Sequence, residues 1–509
     1  MSSWTAGYVT DLGYTHGYYR ELMPTTLALA ALAAGHRAPD PSGPLTYCEL
    51  GTGQGFSANV LAAANPHVEV YANDFNPGQT AGAQRLAKDA GLTNIHFSDQ
   101  SFEDRLNDDS LPDFDIIALH GIYSWINAED RSRIAQFIRR RLKPGGLAYV
   151  SYNTPPGWAA AAPIRHLLYL HAQSSSGPTG ARIEPAFAFV DRLSELGANY
   201  FKANPQAKTR FDKVKGQARS YVAHEYLNES WNLLYHSEVA AEMEVAKLSF
   251  IASAALLDHI DTINITPDQQ QLLAGIAESP LRQTTRDYIV GQAFRRDVFA
   301  KGPQQLTFHE AQAQWTDTRF ALTVNRADVI LKVTGALGEA ELQADVYTPI
   351  LDAFATGPKT VRQLVTDATI LGLGWSRLQQ ALGVLVGVGH LSPCLEAKGD
   401  SKRGQRTTAF NNAVIARAQY TADLHHLASP VTGGAIGVDR IAQLMLLAHQ
   451  QKQADPAQFV WNILKPQGVQ LIKEGKTIEG DKESLELLKV RQEEFKTKHL
   501  PVMQQLGIA

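Results

Sequence analysis

A doubly wound α/β sheet followed by helical regions is the fold class that this sequence predicts. Three observations in its first third carry that expectation. Apolar runs alternate with helix-patterned stretches between residues 45 and 153, a glycine-rich turn separates the first run from the first helix, and acids sit at the tips of the second and third runs. The first run is "LTYCEL" (45–50), which breaks at Gly51-Thr52-Gly53-Gln54-Gly55; Phe56, Val60 and Leu61 then recur at helical spacing. "VEVYAND" (68–74) ends on Asp74, and Pro77 opens the helix of 77–92. "NIHFSD" (94–99) ends on Asp99. "DFDIIALHGI" (113–122) precedes a helix over 128–142, and a Lys-Pro-Gly-Gly turn feeds a fifth strand within 142–153.

With 509 residues, two to four domains are expected. A net charge of −4 without a basic face gives no reason to expect nucleic acid. Cys48 and Cys394 are too few and too far apart for a disulfide framework or a cysteine metal site, so no metal is expected. The first 21 residues lack the basic and apolar blocks of a signal peptide. No stretch reaches about 18 uninterrupted apolar residues, so no stable membrane insertion is expected and the cytoplasm is the expected compartment.

In such sheets ligands sit beyond the carboxyl ends of the strands. Glycines at 51, 53 and 55 let a ligand approach the backbone closely. A dinucleotide loop would read G-x-G-x-x-G, but here the spacing is G-x-G-x-G and Phe56 stands at the third glycine's place. Glu49 would repel a phosphate and would attract an ammonium or sulfonium. Asp74, at a strand tip, can accept both hydroxyls of a ribose, or it can merely cap the helix beginning near Pro77. Asp99 can accept from an adenine amino group with Phe102 against the ring, or it can be a turn residue.

E-L-G-T-G-Q-G, the acids Asp74 and Asp99, and K-P-G-G-L before the fifth strand together resemble the class I S-adenosylmethionine-dependent methyltransferases, over residues 45–153. The resemblance implies a Rossmann-like sheet, with the Gly51–Gly55 loop, including Thr52, around the methionine part of the cofactor and Asp74 on the ribose. Phe75, Asp99, Gln100, Phe102 and His120 complete the implied cofactor surface.

Two stretches at strand ends are rich in polar and aromatic groups. "LHGIYSWI" (119–126) offers His120, Tyr123 and Trp125, and "SYNTPPGW" (151–158) offers Tyr152, Asn153 and Trp158. Methyl transfer needs orientation and a deprotonated acceptor, so His120, Tyr123, Trp125, Tyr152 and Asn153 are the catalytic candidates. His120 can act as a base or can serve the loop structurally. "NTPPG" follows the fifth strand, whereas DNA and amide methylases carry Asn-Pro-Pro-aromatic after the fourth, so amide chemistry is not supported. The aromatic "GYVTDLGYTHGYYRELMP" (7–24), with Tyr14 and Tyr18, reads equally as a lid over the cofactor mouth or as a clasp on the sheet edge.

We expect a methyltransferase domain over 1–172, a loop or linker at 173–182, a helical middle domain over 183–320, a winged-helix-like domain over 343–412 with a hairpin tip in its basic "KGDSKRGQRTTAF", and a helical C-terminal region over 413–509. "YVAHEYLNESW" (221–231) and "RDYIVGQAFRRDVFAKG" (286–302) resemble the methyltransferase regulatory domain of a bacterial group that includes rickettsial protein-lysine methyltransferases acting on outer-membrane proteins. That resemblance implies lysine N-methylation of a protein acceptor. His224 and Glu225 either reach the acceptor pocket or sit in helix–helix hydrogen bonds. The alternatives are O- or N-methylation of a saccharide or small metabolite, and a non-catalytic regulator that binds S-adenosylmethionine. A homodimer is compatible with the sequence.

Overall fold

The computed structural model describes residues 7–473, 475–478 and 480–509; the first six, on which the signal-peptide reading partly rests, lie outside them. Seven strands form the central sheet in the order β3-β2-β1-β4-β5-β7-β6. They are β1 Leu45–Leu50, β2 Val68–Asn73, β3 Ile95–Ser98, β4 Phe114–Leu119, β5 Leu142–Asn153, β6 Leu248–Ser253 and β7 Phe294–Lys301. The first five run parallel, and β7 runs antiparallel to both β5 and β6. Strand order therefore reverses between β1 and β4, which places the ligand-binding crevice beyond the carboxyl ends of these two strands.

The middle region, expected to be helical, supplies β6 and β7. "LSFIAS" is a short apolar run, and such runs suit a strand or a buried helix equally until pairing decides. Within residues 173–182 only 175–178 lie outside helices, as a short turn. Helices Ala162–Ser174 and Thr179–Glu195 pack on each other across a short turn.

The helix Phe56–Ala64 is buried at every position. One side lies on the sheet and the other meets the C-terminal region, where Phe56 packs on Phe410 and the Asn65 side chain donates to Gly433 O at 2.7 Å. A helix apolar all round needs cover on both sides.

In the third region, the strand Arg319–Leu322 pairs with Lys359–Thr360 and Leu391–Cys394, beside helices Ala344–Ala355 and Trp375–Gly387. The hairpin tip expected in its basic stretch is instead the helix Asp400–Ala418. Arg403 turns inward there, donating to Pro430 O and Glu396 O, so part of the basic run is buried structure. The C-terminal region is mainly helical but also carries the hairpin His426–Ser429 with Gly434–Gly437. Among the described residues no helix is long and apolar enough to cross a membrane.

Candidate active site

The glycine loop is held by strand tips. Thr52 N–H donates to Asn73 O and Gly53 N–H to Asp74 Oδ2, each at 2.9 Å. Gly51, Gly53 and Gly55 all have positive φ, at 68°, 56° and 65°. A Cβ on Gly55 would lie 2.5 Å from that of Ala83, so the helix Pro77–Asp89 packs where only glycine fits. The other Asp74 oxygen accepts from Asn76 N–H, while the Asn76 side chain caps that helix. Asp74 thus braces the loop instead of capping the helix, and each oxygen keeps a lone pair. Burial raises its pKa against those two backbone donors.

The loop borders a cavity of about 330 Å³. Glu49, Gly51, Thr52, Gly53, Gly55, Asp74, His120, Trp125, Asn153, Trp158, Tyr14, His224 and Glu225 all line it. A second cavity of about 300 Å³ is lined by Phe75, Asp99, Gln100 and Phe102, and shares Tyr8, Gly51, Asp74, Ile122 and Trp125 with the first. Seventeen of the positions singled out in the sequence therefore meet around one divided cleft, with Asp74 on the wall between its halves.

Three candidates lie elsewhere. Tyr123 is fully buried and donates to Glu242, which also pairs with Arg131. Tyr152 is fully buried and donates to Asp297 Oδ2 at 2.6 Å. The Tyr18 hydroxyl accepts from Ala435 N–H in the C-terminal hairpin, and its ring packs on His426. Alternation explains the one miss on β5: Asn153 faces the cleft, so its neighbour Tyr152 faces away.

The electrostatics of the cleft are specific. Glu49 is 4% exposed; Oε1 accepts from Thr52, Oε2 has no partner, and burial raises the carboxyl to about 7. Asn153 Nδ2 is also buried without a partner. His120 Nδ1 lies 2.8 Å from the Tyr149 hydroxyl and its ring stacks on Tyr19 at 3.9 Å. Burial, aided by Arg296, lowers its pKa to about 3, so it is neutral at physiological pH. Glu225 accepts from Tyr14 and is raised by burial to about 7. Its neighbour His224 is held through Nε2 by Leu12 O, and burial lowers its pKa.

The segment before β1 spans this cleft. Val9 N–H donates to Asn228 Oδ1, Tyr8 meets Phe75 edge-on at 5.7 Å, and Gln54 of the glycine loop donates to Tyr14 O. Tyr8, Tyr19, Arg210, Tyr221 and Phe294 also line the main cavity and were not singled out as site residues from the sequence. Tyr221 had a signal, because 221, 224 and 225 share one helical face. Arg210, stacked 3.5 Å over Trp158, had none.

A model described as "Methyltransferase domain" matches residues 48–146, and one described as "Predicted methyltransferase regulatory domain" matches 218–301. The chain shares its fold over 96% of its length, at a TM-score of 0.69 and 17% identity, with 99% of the structure of PKMT2 from Rickettsia typhi in complex with AdoHcy. A Rickettsia prowazekii protein, RP789, is 28% identical over 291 residues, 56% of this chain and 51% of its own. The fold, the cleft and the matched domains define a class I S-adenosylmethionine-dependent methyltransferase. The chain is 44% identical over 507 residues, the whole of both proteins, to sll1526 of Synechocystis sp., described as uncharacterized, and belongs to the same family.

Proposed function

We propose that this methyltransferase modifies the side-chain amine of lysine in a protein acceptor. The observation that carries the proposal is Glu225, the carboxylate set among Tyr14, Tyr19, Tyr221 and Trp158 on the cavity wall contributed by the middle region. Aromatic faces and one carboxylate suit an ammonium. PKMT2 of Rickettsia typhi, which shares the fold, supports a protein acceptor by analogy, as does the resemblance to rickettsial lysine methyltransferases.

The residues present fit the cofactor. The unpartnered Glu49 Oε2 would take its ammonium, Gly51, Thr52, Gly53 and Gly55 would lie along its methionine part, and Asp74 would accept its ribose hydroxyls. Phe75, Asp99, Gln100 and Phe102 would face the adenine. The bound cofactor supplies an electrophilic methyl on a sulfonium, so the new N–C bond forms as the S–C pair returns to sulfur.

The chain's own groups prepare the acceptor. Glu225, raised to about 7, takes the lysine proton; His120 at about 3 is a poor proton store at neutral pH and orients the acceptor instead. Trp125, Asn153 and Trp158 shape the channel, and the segment 7–24 acts as its lid. Tyr123 and Tyr152 are positioning residues behind that surface.

Incubating the protein with radiolabelled S-adenosylmethionine and host lysate tests the acceptor. We expect label in protein bands, on lysine by mass spectrometry; label confined to glycans or small molecules sinks the proposal.

A further inference from the structure

A separate cavity of about 450 Å³ lies at the far edge of the sheet, between β6 and the helices Pro267–Ala274 and Ser279–Val290. The second helix is turned inside out. Arg282, Gln283, Arg286 and Asp287 recur at the spacing of one helical face, and that face lines the cavity. Leu281 and Tyr288 point outward and are 54% and 61% exposed. An amphipathic helix packed on a sheet normally does the reverse.

The polar groups are only partly satisfied within the protein. Asp287 is 1% exposed; Oδ1 accepts from Arg295 Nη1 at 2.5 Å, and Oδ2 is buried with no hydrogen-bond partner. Such an atom is costly to bury unless something donates to it. Arg282 gives one donor to Ile276 O; Arg286 gives one to Asp258 O and pairs with Asp261 Oδ1 at 3.9 Å, and among the described residues the other donors of both forks make no hydrogen bond. We propose that this cavity binds a small zwitterion of the amino-acid type, its carboxylate on Arg282 and Arg286 and its ammonium on Asp287 Oδ2, and that its occupancy tunes methyl transfer.

The coupling to the active site is short. Gln292 lines this cavity, and the next two residues, Ala293 and Phe294, line the cofactor cavity. The same strip holds the loop after β5, since Thr154 N–H donates to Ala293 O and Gly157 N–H to Gln292 O. A second link runs through side chains. Arg295 joins Asp287 to Asp297, and Asp297 accepts from Tyr152, the neighbour of cleft-lining Asn153. A ligand ammonium on Asp287 Oδ2 shares that carboxylate with Arg295, which holds Oδ1, and so acts directly on the second link.

The test is calorimetry and thermal shift on the full-length protein, with the twenty L-amino acids as individual probes and the N-acetyl and methyl-ester forms of any that bind. Binding is independent of the acceptor, so the outcome stands whatever the methylated substrate is. We expect at least one amino acid to bind, and its acetylated and esterified forms to bind about tenfold more weakly or worse, since each loses a charge-assisted contact. Arg282→Ala and Asp287→Asn should each weaken binding by a similar factor, about tenfold. Both variants should keep wild-type affinity for S-adenosylmethionine, which shows that they fold. The bound amino acid should also change kcat in the wild type and not in Arg282→Ala. Binding by none of the twenty, or binding undiminished in Arg282→Ala, overturns the site. Binding without any change in kcat overturns its regulatory role.

Discussion

The Tyr14 hydroxyl donates a 3.2 Å hydrogen bond to Oε1 of Glu225, tying the segment before the sheet to a helix 211 positions later. That contact joins the segment proposed as the lid of the cleft to the proposed proton acceptor. If Glu225 takes the lysine proton, kcat/KM should rise with pH through an inflection near 7, where its carboxyl ionises. In Glu225→Gln that inflection should vanish and the rate fall by about 10²–10⁴-fold. Tyr14→Phe removes a donor that favours the carboxylate, so the inflection should move to higher pH. A pH–rate profile unchanged in Glu225→Gln would refute the assignment.

Asp74 braces the glycine loop through Gly53 N–H and faces both halves of the cleft. Asp74→Ala should weaken S-adenosylmethionine binding by about 10–100-fold, the loss of one or two hydrogen bonds to a charged group. Titration calorimetry reads this directly, and unchanged affinity would remove Asp74 from the ribose site.

Glu49 carries a stability cost that the cofactor should relieve. Its folded pKa, about 7, lies above its ordinary value of 4.5, so the folded state binds more protons between those pH values. Stability from this group is present below about pH 4.5 and is lost as pH rises through 7. Glu49→Gln should therefore stabilise the cofactor-free protein at pH 8 by about 3 kcal/mol, at 1.36 kcal/mol per pK unit, raising its Tm there and changing it little at pH 4.5. The same variant should bind S-adenosylmethionine more weakly. A Tm gain equal at both pH values contradicts this account.

Gly55→Ala tests the backbone of the loop. Its φ is 65°, and an added Cβ would lie 2.5 Å from the Ala83 Cβ, on a helix that cannot yield as a flexible side chain would. Destabilisation of about 1–3 kcal/mol is expected by urea unfolding, with weaker cofactor binding.

Arg295 holds Asp287 and Asp297, both 1% exposed. Arg295→Met leaves two buried carboxylates without their cation and should cost about 3–5 kcal/mol. Tyr152→Phe, removing one donor to Asp297, should lower Tm while leaving the KM for S-adenosylmethionine unchanged.

Much of the cleft was legible because local chemistry demands it. Gly51, Gly53 and Gly55 adopt positive φ, which favours glycine, and Asp74 stands at a strand tip fixed by the βαβ repeat. Glu49, Asp99 and Phe102, read from the ends of the same strands, and Phe75, implied by the resemblance, reach the same cleft. Tyr123, Tyr152 and Tyr18 were misplaced for another reason. Composition shows that a stretch is aromatic, but the side on which a tyrosine falls depends on Glu242, Asp297 and Ala435, all more than a hundred positions away.

The sequence by itself determined the parallel sheet, the glycine loop, and a cofactor that carries positive charge and no phosphate. These rest on backbone conformation and strand–helix alternation within about thirty residues at a time. Tertiary structure alone decided that "LSFIAS" and "FRRDVFAK" close the sheet as β6 and β7, because a short apolar run becomes a strand only when an edge is there to pair with. It also decided that Tyr8, Tyr14, Arg210, Tyr221 and Glu225 converge on one cavity, since no local propensity sets the distance between chain segments two hundred residues apart.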